Sequence, residues 1–366
     1  MPDILIVGGG VIGCAIAYYM TEAGASVTVL ERGEIASQAS GAAAGMLVAP
    51  VEELSSEPFR RLCRASLEMY PSLVEVLREE TGIDVQYLAS GLLLAAETED
   101  RAEALRAIIR QQRDWGWGLE WVEGEVLRRL EPALSEQVLG TVYSPEEHHV
   151  NPALLTQALA RASAARGAVL RQGMAVAGFL TAGSRVVGVH TSAGEKIAAD
   201  RIVLAAGPWT GGLARKLGAE VSTSPMRGQM LAYRSTAVRH IVWGEDGYLV
   251  PKAGGFLFAG ATVEDVGFRS RTTRRGLARL RRMAAALVPA LRYAEVVSVW
   301  AGLRPGSPDG HPIIGQLSGT ESVFVASGHF RNGILLAPIT GKLVTRLILE
   351  SRTEMALESF AIGRFR

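Results

Sequence analysis

Three glycines, one carboxylate and one arginine carry the first chemical signals in this 366-residue chain. Gly8, Gly10 and Gly13 lie in Ile6-Val-Gly-Gly-Gly-Val-Ile-Gly13, and Glu31 closes the run Val27-Thr-Val-Leu-Glu31. At that spacing the first glycine makes the tight turn after a strand, the second lets backbone approach a pyrophosphate, and the third lets the following helix pack on the sheet. The helix N-terminus then offers its N–H groups to the phosphates. Glu31 falls where a carboxylate accepts hydrogen bonds from ribose hydroxyls, and its charge repels a 2′-phosphate, which argues against NADP. NAD and FAD both remain open. Arg304 is a signal of another kind. It stands between Leu303 and Pro305 with few other charges nearby, and a guanidinium taken out of water needs a carboxylate partner. A substrate can supply that carboxylate and be held by a planar two-point fork; an internal ion pair with Asp309 or another acid is the alternative.

These residues need a scaffold. A strand from Asp3, a helix through Ala15 to Met20 and a strand ending at Glu31 make a βαβ unit over about residues 1–45. Helices are expected over 56–81 and 98–115, the first opened by Pro58 and closed by Gly82, with a strand at Gly91-Leu-Leu-Leu-Ala-Ala96 near them. A further helix runs from Asn151-Pro152 to Gly167. Short strands near 168–171, 176–181 and 185–191, with turns at Gly183-Ser184 and Ala193-Gly194, read as a small antiparallel meander. Arg201-Ile-Val-Leu-Ala-Ala-Gly207 reads as a buried strand returning to the nucleotide-binding sheet, with a helix from Trp209. Strands resume at 228–234, 247–251 and 255–260. From Trp300 the expectation is a loop, the strand Val323-Phe-Val-Ala326 and a closing helix from Gly333 to Leu349. The fold class is therefore α/β, α+β overall. A Rossmann-like domain (1–45, 141–225 and 300–366) interleaves with a sheet-rich substrate-binding domain (46–140 and 226–299).

Composition excludes several functions. Lys+Arg 38 against Asp+Glu 37 gives a net charge of +1, too little to draw the chain to nucleic acid or an anionic membrane. The basic segment Arg269 to Arg282 reads as the solvated face of a surface helix, because Leu277, Leu280, Met283, Ala284 and Leu287 recur at helical spacing. Two cysteines, Cys14 and Cys63, form neither a disulfide framework nor a metal-ligand pattern. His148 and His149 are adjacent, point apart in either regular structure and make a poor metal pair; no metal is expected. No apolar run approaches bilayer length, and no signal peptide is read at the N-terminus. A cytoplasmic location and a homo-oligomer are expected.

Three further blocks are Ala42-Ala-Ala-Gly-Met46, Trp300-Ala-Gly-Leu-Arg-Pro-Gly-Ser-Pro-Asp-Gly-His-Pro-Ile-Ile-Gly315 and Ser327-Gly-His-Phe-Arg-Asn-Gly-Ile-Leu-Leu-Ala-Pro338. With the N-terminal motif, the chain resembles the flavin-dependent D-amino-acid oxidase family from end to end, and most closely its glycine oxidase branch. The resemblance implies FAD rather than NAD. Around the cofactor it implies Gly8, Gly10, Val11, Ile12, Gly13, Glu31, Arg32, Ala39, Ser40, Ala44, Gly45, Met46, Val176, His329, Phe330, Arg331, Asn332, Gly333, Ile334 and Leu335. Val176 is to meet the adenine through its backbone, and His329 through Leu335 are to line the isoalloxazine. The tiny residues Ala42 to Gly45 let backbone N–H groups approach where side chains would clash. A helix opening at His329 to Leu335 would aim its N-terminus at the flavin and stabilise negative charge there.

For the substrate, the resemblance carries carboxylate binding onto Arg304, assistance from Tyr248 and backbone contact from Arg331. It implies a small amino acid oxidised at its α-carbon, hydride passing to flavin N5, hydrolysis of the imine to an oxoacid and ammonia, and electrons reaching molecular oxygen as hydrogen peroxide. No general base is required, since protein supplies orientation and electrostatics while the cofactor supplies the redox step. A role in thiamine thiazole synthesis follows by the same resemblance. Asp246 stands where the branch pattern has a histidine, two residues before the tyrosine; it either reaches the substrate amine or is an exposed turn carboxylate. FAD is expected to be non-covalent, because no Cys follows Cys63 and no His precedes His148. The competing readings are a sarcosine or other N-methyl amino acid oxidase, a D-amino-acid dehydrogenase with a non-oxygen acceptor, and a non-catalytic nucleotide-binding protein, which would not need Arg304.

Overall fold

The computed structural model describes residues 2–49, 56–113, 115–183 and 185–365; Ser184 of the expected turn lies outside them. Two sheets organise the chain. The first has six strands, in the order Ile313–Gln316, Val323–Ser327, Arg201–Leu204, Asp3–Val7, Ser26–Leu30 and Val169–Arg171. Neighbours are parallel except the pair Ile313–Gln316 and Val323–Ser327. Helices Val11–Glu22, Glu57–Thr81, Pro152–Ala165 and Ala337–Glu350 cover one face, where Ile4, Ile6, Val27 and Val29 meet Ile16, Leu62, Leu159 and Leu343. The other face, with Leu5, Val7, Leu30 and Leu204, packs on Val186 and Val189 of a three-stranded antiparallel sheet. Both faces of these strands are buried, and their sequences are accordingly near-continuous apolar runs.

The second sheet has nine strands. Its centre pairs Ser224–Arg234 with Phe256–Gly260, and then Gly247–Lys252, Ile241–Gly244, Leu92–Ala96, Gly140–Ser144 and Glu120–Glu123 follow. Val296–Gly306 pairs along the other edge of Ser224–Arg234, while Glu264–Asp265 pairs with Met226 and Arg227 on the same edge as Phe256–Gly260. One face packs on the helix Arg274–Leu287 through Leu280, Met283, Ala284 and Leu287, leaving Arg274, Arg275, Arg279, Arg281 and Arg282 exposed as the helical spacing predicts.

Several elements differ from the sequence reading. Val169–Arg171 is the edge strand of the six-stranded sheet, paired parallel to Ser26–Leu30, and not part of the meander. Residues 300–306 are not loop but the end of the strand Val296–Gly306, held by pairing with Ser224–Arg234 along its length. Gly140–Ser144 and Val296–Gly306 both hydrogen-bond into the nine-stranded sheet, so the borders drawn at 141 and 300 cut through strands. Residues 328–336 form turns, and the last helix begins at Ala337, not Gly333.

Candidate active site

One cavity of about 510 Å³ lies between the sheets, within the size range of ligand pockets. Gly8, Gly10, Val11, Ile12, Glu31, Arg32, Ala39, Ser40, Ala44, Gly45, Met46 and Val176 line it, as do His329, Phe330, Arg331, Asn332, Gly333 and Ile334. Tyr248 and Arg304 line it too. Gly13 and Leu335 do not; Leu335 is buried, and its carbonyl accepts a hydrogen bond from Ser66 Oγ at 2.6 Å.

The glycine turn shows why each glycine is there. Gly8 has φ 119°, and a Cβ on it would fall 2.8 Å from the Ala205 carbonyl carbon. A Cβ on Gly13 would strike the Gly8 carbonyl, so these two are demanded by the fold itself. Gly10 is different: a Cβ there would meet only Ser40 Oγ, at 3.2 Å. It caps the helix Val11–Glu22 without a side chain, and the Val11 N–H is held by Ser40 Oγ at 2.9 Å. A phosphate fits this helix end, where N–H groups and the positive dipole converge. Glu31 is buried and anchored, one oxygen accepting the Gly9 N–H at 2.7 Å and the other the Gly33 N–H at 2.9 Å. Each oxygen keeps a lone pair for a ribose hydroxyl. The residues present therefore fit an adenine dinucleotide.

Small residues bring the 39–46 segment into contact with the second sheet. A Cβ on Gly302 would come within 2.6 Å of Ala42 Cβ, and Trp300 Nε1 donates to the Ala42 carbonyl at 3.0 Å. His329, which lines the same cavity, is buried, with Nε2 3.1 Å from Thr340 Oγ1 and Nδ1 without a partner among the described residues. Burial holds its pKa down at about 3, so the ring is neutral. Arg32 lies over the ring of Trp209, 3.6 Å from its centroid, and Trp209 in turn stacks on Phe268.

At the arginine end, Arg304 comes from the strand Val296–Gly306, half-buried, and donates Nη1 to the Thr262 carbonyl at 3.0 Å. Among the described residues it makes no salt bridge. Asp309, the alternative partner, instead takes Arg364 in a two-point contact of 2.8 and 3.0 Å and the His311 N–H at 3.0 Å. Tyr248 stands opposite Trp243 across a strand pair, their rings edge-on at 5.8 Å, and its hydroxyl lies 3.5 Å from Met230 Sδ. Arg331 is exposed, its guanidinium 5.8 Å from the Trp243 ring centre. Asp246 does not line the cavity. It is exposed and receives Arg279 Nη2 at 2.6 Å, so of the two readings offered for it the turn carboxylate is the one the structure has.

Sequence reasoning missed Gly228, Met230, Trp243 and Thr262, all at or bordering the arginine end. None belongs to a motif; only the alternation of Gly228 and Met230 on one strand face could have marked them. Among the described residues no group of His, Cys, Asp and Glu could hold a metal, and no helix is long and apolar enough to cross a membrane.

Comparison with known proteins agrees with this geometry. The family model "FAD dependent oxidoreductase" (DAO) matches residues 3–347. Glycine oxidase of Geobacillus kaustophilus is 38% identical over 99% of this chain and 97% of its own length. Its crystal structure superposes with a TM-score of 0.95 at 37% identity, covering 99% of this chain and 98% of that one. The "Bifunctional protein ThiO/ThiG" of Trichormus variabilis is 36% identical over 99% of this chain, which spans 55% of that protein's length. The chain belongs to the FAD dependent oxidoreductase family, on its amino-acid oxidase side.

Proposed function

We propose that the protein oxidises glycine, and with it sarcosine and small D-amino acids, to the oxoacid and the free amine (ammonia, or methylamine from sarcosine) with release of hydrogen peroxide. For glycine the balance is glycine, water and oxygen to glyoxylate, ammonia and hydrogen peroxide. The observation that carries this reading is a guanidinium, Arg304, that lines the cavity with no carboxylate among the described residues paired to it. The substrate carboxylate completes it, and Tyr248 adds a phenol donor on a rigid stem. Arg331 contributes backbone at the same end. Two-point capture turns the α-carbon toward the rest of the cavity, which is the proximity term in such a reaction. FAD, when bound, accepts the two electrons and the hydrogen lost from the α-carbon and delivers them to oxygen. Gly8, Gly10, Ser40 and Glu31 hold its nucleotide half, and Ala44 to Met46 with His329 to Ile334 border its ring.

Non-covalent FAD is part of the proposal, since both cysteines, Cys14 and Cys63, are buried. The names of the relatives support glycine as substrate and a role in thiamine biosynthesis. We further propose that the six-stranded sheet and its helices form the FAD-binding domain and the nine-stranded sheet the substrate-binding domain. Purified yellow protein, assayed for peroxide with glycine, sarcosine, D-alanine and D-proline, tests the reading. Release with glycine is expected; turnover confined to an artificial electron acceptor would favour a dehydrogenase. Acid precipitation should leave the colour in the supernatant, and colour in the pellet would favour a covalent sarcosine oxidase type.

A further inference from the structure

The strand Ser224–Arg234 turns Gly228 and Met230 to the cavity and Arg227 and Gln229 away from it. Gln229 is fully buried, and its amide is committed in full. Nε2 donates to the two Glu264 carboxylate oxygens at 2.9 and 3.1 Å and to Thr273 Oγ1 at 3.1 Å. Oε1 accepts the Thr273 N–H at 2.6 Å. Arg227, also buried, donates Nε to Glu264 at 2.5 Å and Nη1 to the Arg271 carbonyl at 3.1 Å. These bonds clamp both ends of the segment 262–273 to the back of the strand.

That segment begins at Thr262, whose carbonyl receives Arg304 Nη1. Thr262 is itself fixed from Gln229: its Oγ1 accepts the Gln229 N–H at 2.9 Å and its N–H reaches the Gln229 carbonyl at 3.4 Å. On the cavity side Gly228 forms the floor beneath the guanidinium, since a Cβ there would fall 2.6 Å from both Cζ and Nη2. Arg304 is thus located by the Gly228 backbone and one acceptor, and the acceptor is located by the backbone of Gln229 directly and by its side chain through Glu264 and Thr273.

We infer that Gln229 and the Thr262 hydroxyl are positioning residues for Arg304, and that the Gln229–Glu264–Thr273 clamp sets how tightly the site holds a substrate carboxylate. This rests on the reading of Arg304 as the carboxylate fork. A guanidinium whose remaining N–H groups are aimed in advance loses little freedom when the carboxylate arrives, whereas one free to swing must be ordered at that moment.

The test uses FAD-loaded Gln229→Leu, Thr262→Val and Arg304→Ala enzymes beside the wild type. Acetate, a carboxylate without an amine, is titrated by the change in flavin absorbance, and KM and kcat are measured for glycine. Gln229→Leu and Thr262→Val are expected to weaken acetate and raise the glycine KM by about tenfold, as loss of one well-placed hydrogen bond does, with kcat within about twofold and FAD retained. Thr262→Val replaces one hydroxyl by a methyl group and carries the test alone if Gln229→Leu does not fold. Wild-type acetate affinity in both variants, with affinity lost in Arg304→Ala, overturns the inference and leaves the clamp a purely structural role. Wild-type affinity in Arg304→Ala overturns the underlying reading of Arg304 instead.

Discussion

The guanidinium of Arg304 lies against Gly228, one strand away, within the space that any side chain at position 228 would need. The register that sets Gly228 opposite Gly302 and Met226 opposite Arg304 makes this contact. Glycine is required at 228 by the arginine and not by the backbone. Gly228→Ala should therefore fold and keep FAD, while displacing the guanidinium and lowering kcat/KM for glycine by about 2–3 kcal/mol of transition-state binding, carried mainly by KM. Steady-state kinetics beside the flavin absorbance of the purified variant check this. Normal kcat/KM would mean that Arg304 works equally well when lifted off the strand.

Replacing Arg304 itself separates charge from geometry. Arg304→Ala should cost roughly 3–5 kcal/mol in kcat/KM for every amino-acid substrate, the penalty for leaving a desolvated carboxylate without its partner. Arg304→Lys should recover only part, because an ammonium is a point donor and cannot bond both carboxylate oxygens from one plane while also reaching the Thr262 carbonyl. Full recovery by lysine would show that a positive charge alone suffices.

Glu31 has two roles, and Glu31→Gln should reveal both. Its oxygens each accept a backbone N–H, from Gly9 and Gly33. A glutamine keeps one acceptor and turns an NH2 group toward the other N–H, so the loop as well as the ribose contact suffers. FAD affinity should fall by roughly 1–2 kcal/mol, and the apoprotein should melt lower as well. Fluorescence titration with FAD and thermal denaturation of the apoprotein read the two effects. An unchanged FAD dissociation constant would remove Glu31 from the ribose.

Asp246 is paired with Arg279 on the surface, both side chains more than half exposed. Asp246→Asn should leave the pH profile of kcat/KM superimposable on that of the wild type, with stability within about 0.5 kcal/mol, as for most surface substitutions. A profile shifted to lower apparent pKa would return Asp246 to the substrate amine.

His329 sets an acid limit. Its pKa is pushed down to about 3 by burial from an ordinary value of 6.5. Between those values the unfolded chain binds a proton at this residue that the folded protein does not, so stability falls as pH drops from 6.5 toward 3. His149, buried and likewise held at about 3, adds to the same slope. Melting temperature against pH should decline through this window, and His329→Gln should flatten the decline by about one proton. An unchanged slope would mean that His329 titrates normally when folded.

What could be read from the sequence was local. Gly8 and Gly13 could be read because their constraint comes from within the turn: one glycine's carbonyl excludes the other's side chain. Strands such as Arg201–Leu204 could be read because burial on both faces makes them uniformly apolar. The Trp300 to Gly306 block could not. Its Gly-Leu-Arg-Pro-Gly composition has little strand preference, and its conformation comes from pairing with a strand some seventy residues earlier. His329 to Leu336 has helix-compatible residues, yet turns at Phe330, which has φ 47°. Gly228, Gln229 and Thr262 carry no motif, because their work is defined by where Arg304 arrives from another part of the chain.

The threading of the chain between two sheets bears on when the cofactor can enter. The N-terminal strand pairs with Arg201–Leu204, and Asp3 is hydrogen-bonded to Asp200, 197 positions away. The Gly8 turn closes against Ala205, whose N–H donates to the Val7 carbonyl. The phosphate-binding turn is thus completed only by residues made almost two hundred positions after it. Such long-range pairing folds slowly, since loop closure must precede the contacts that reward it. FAD loading therefore waits at least for residues 201–205, and a nascent or truncated chain ending before Ala205 would carry the glycine motif and hold no flavin.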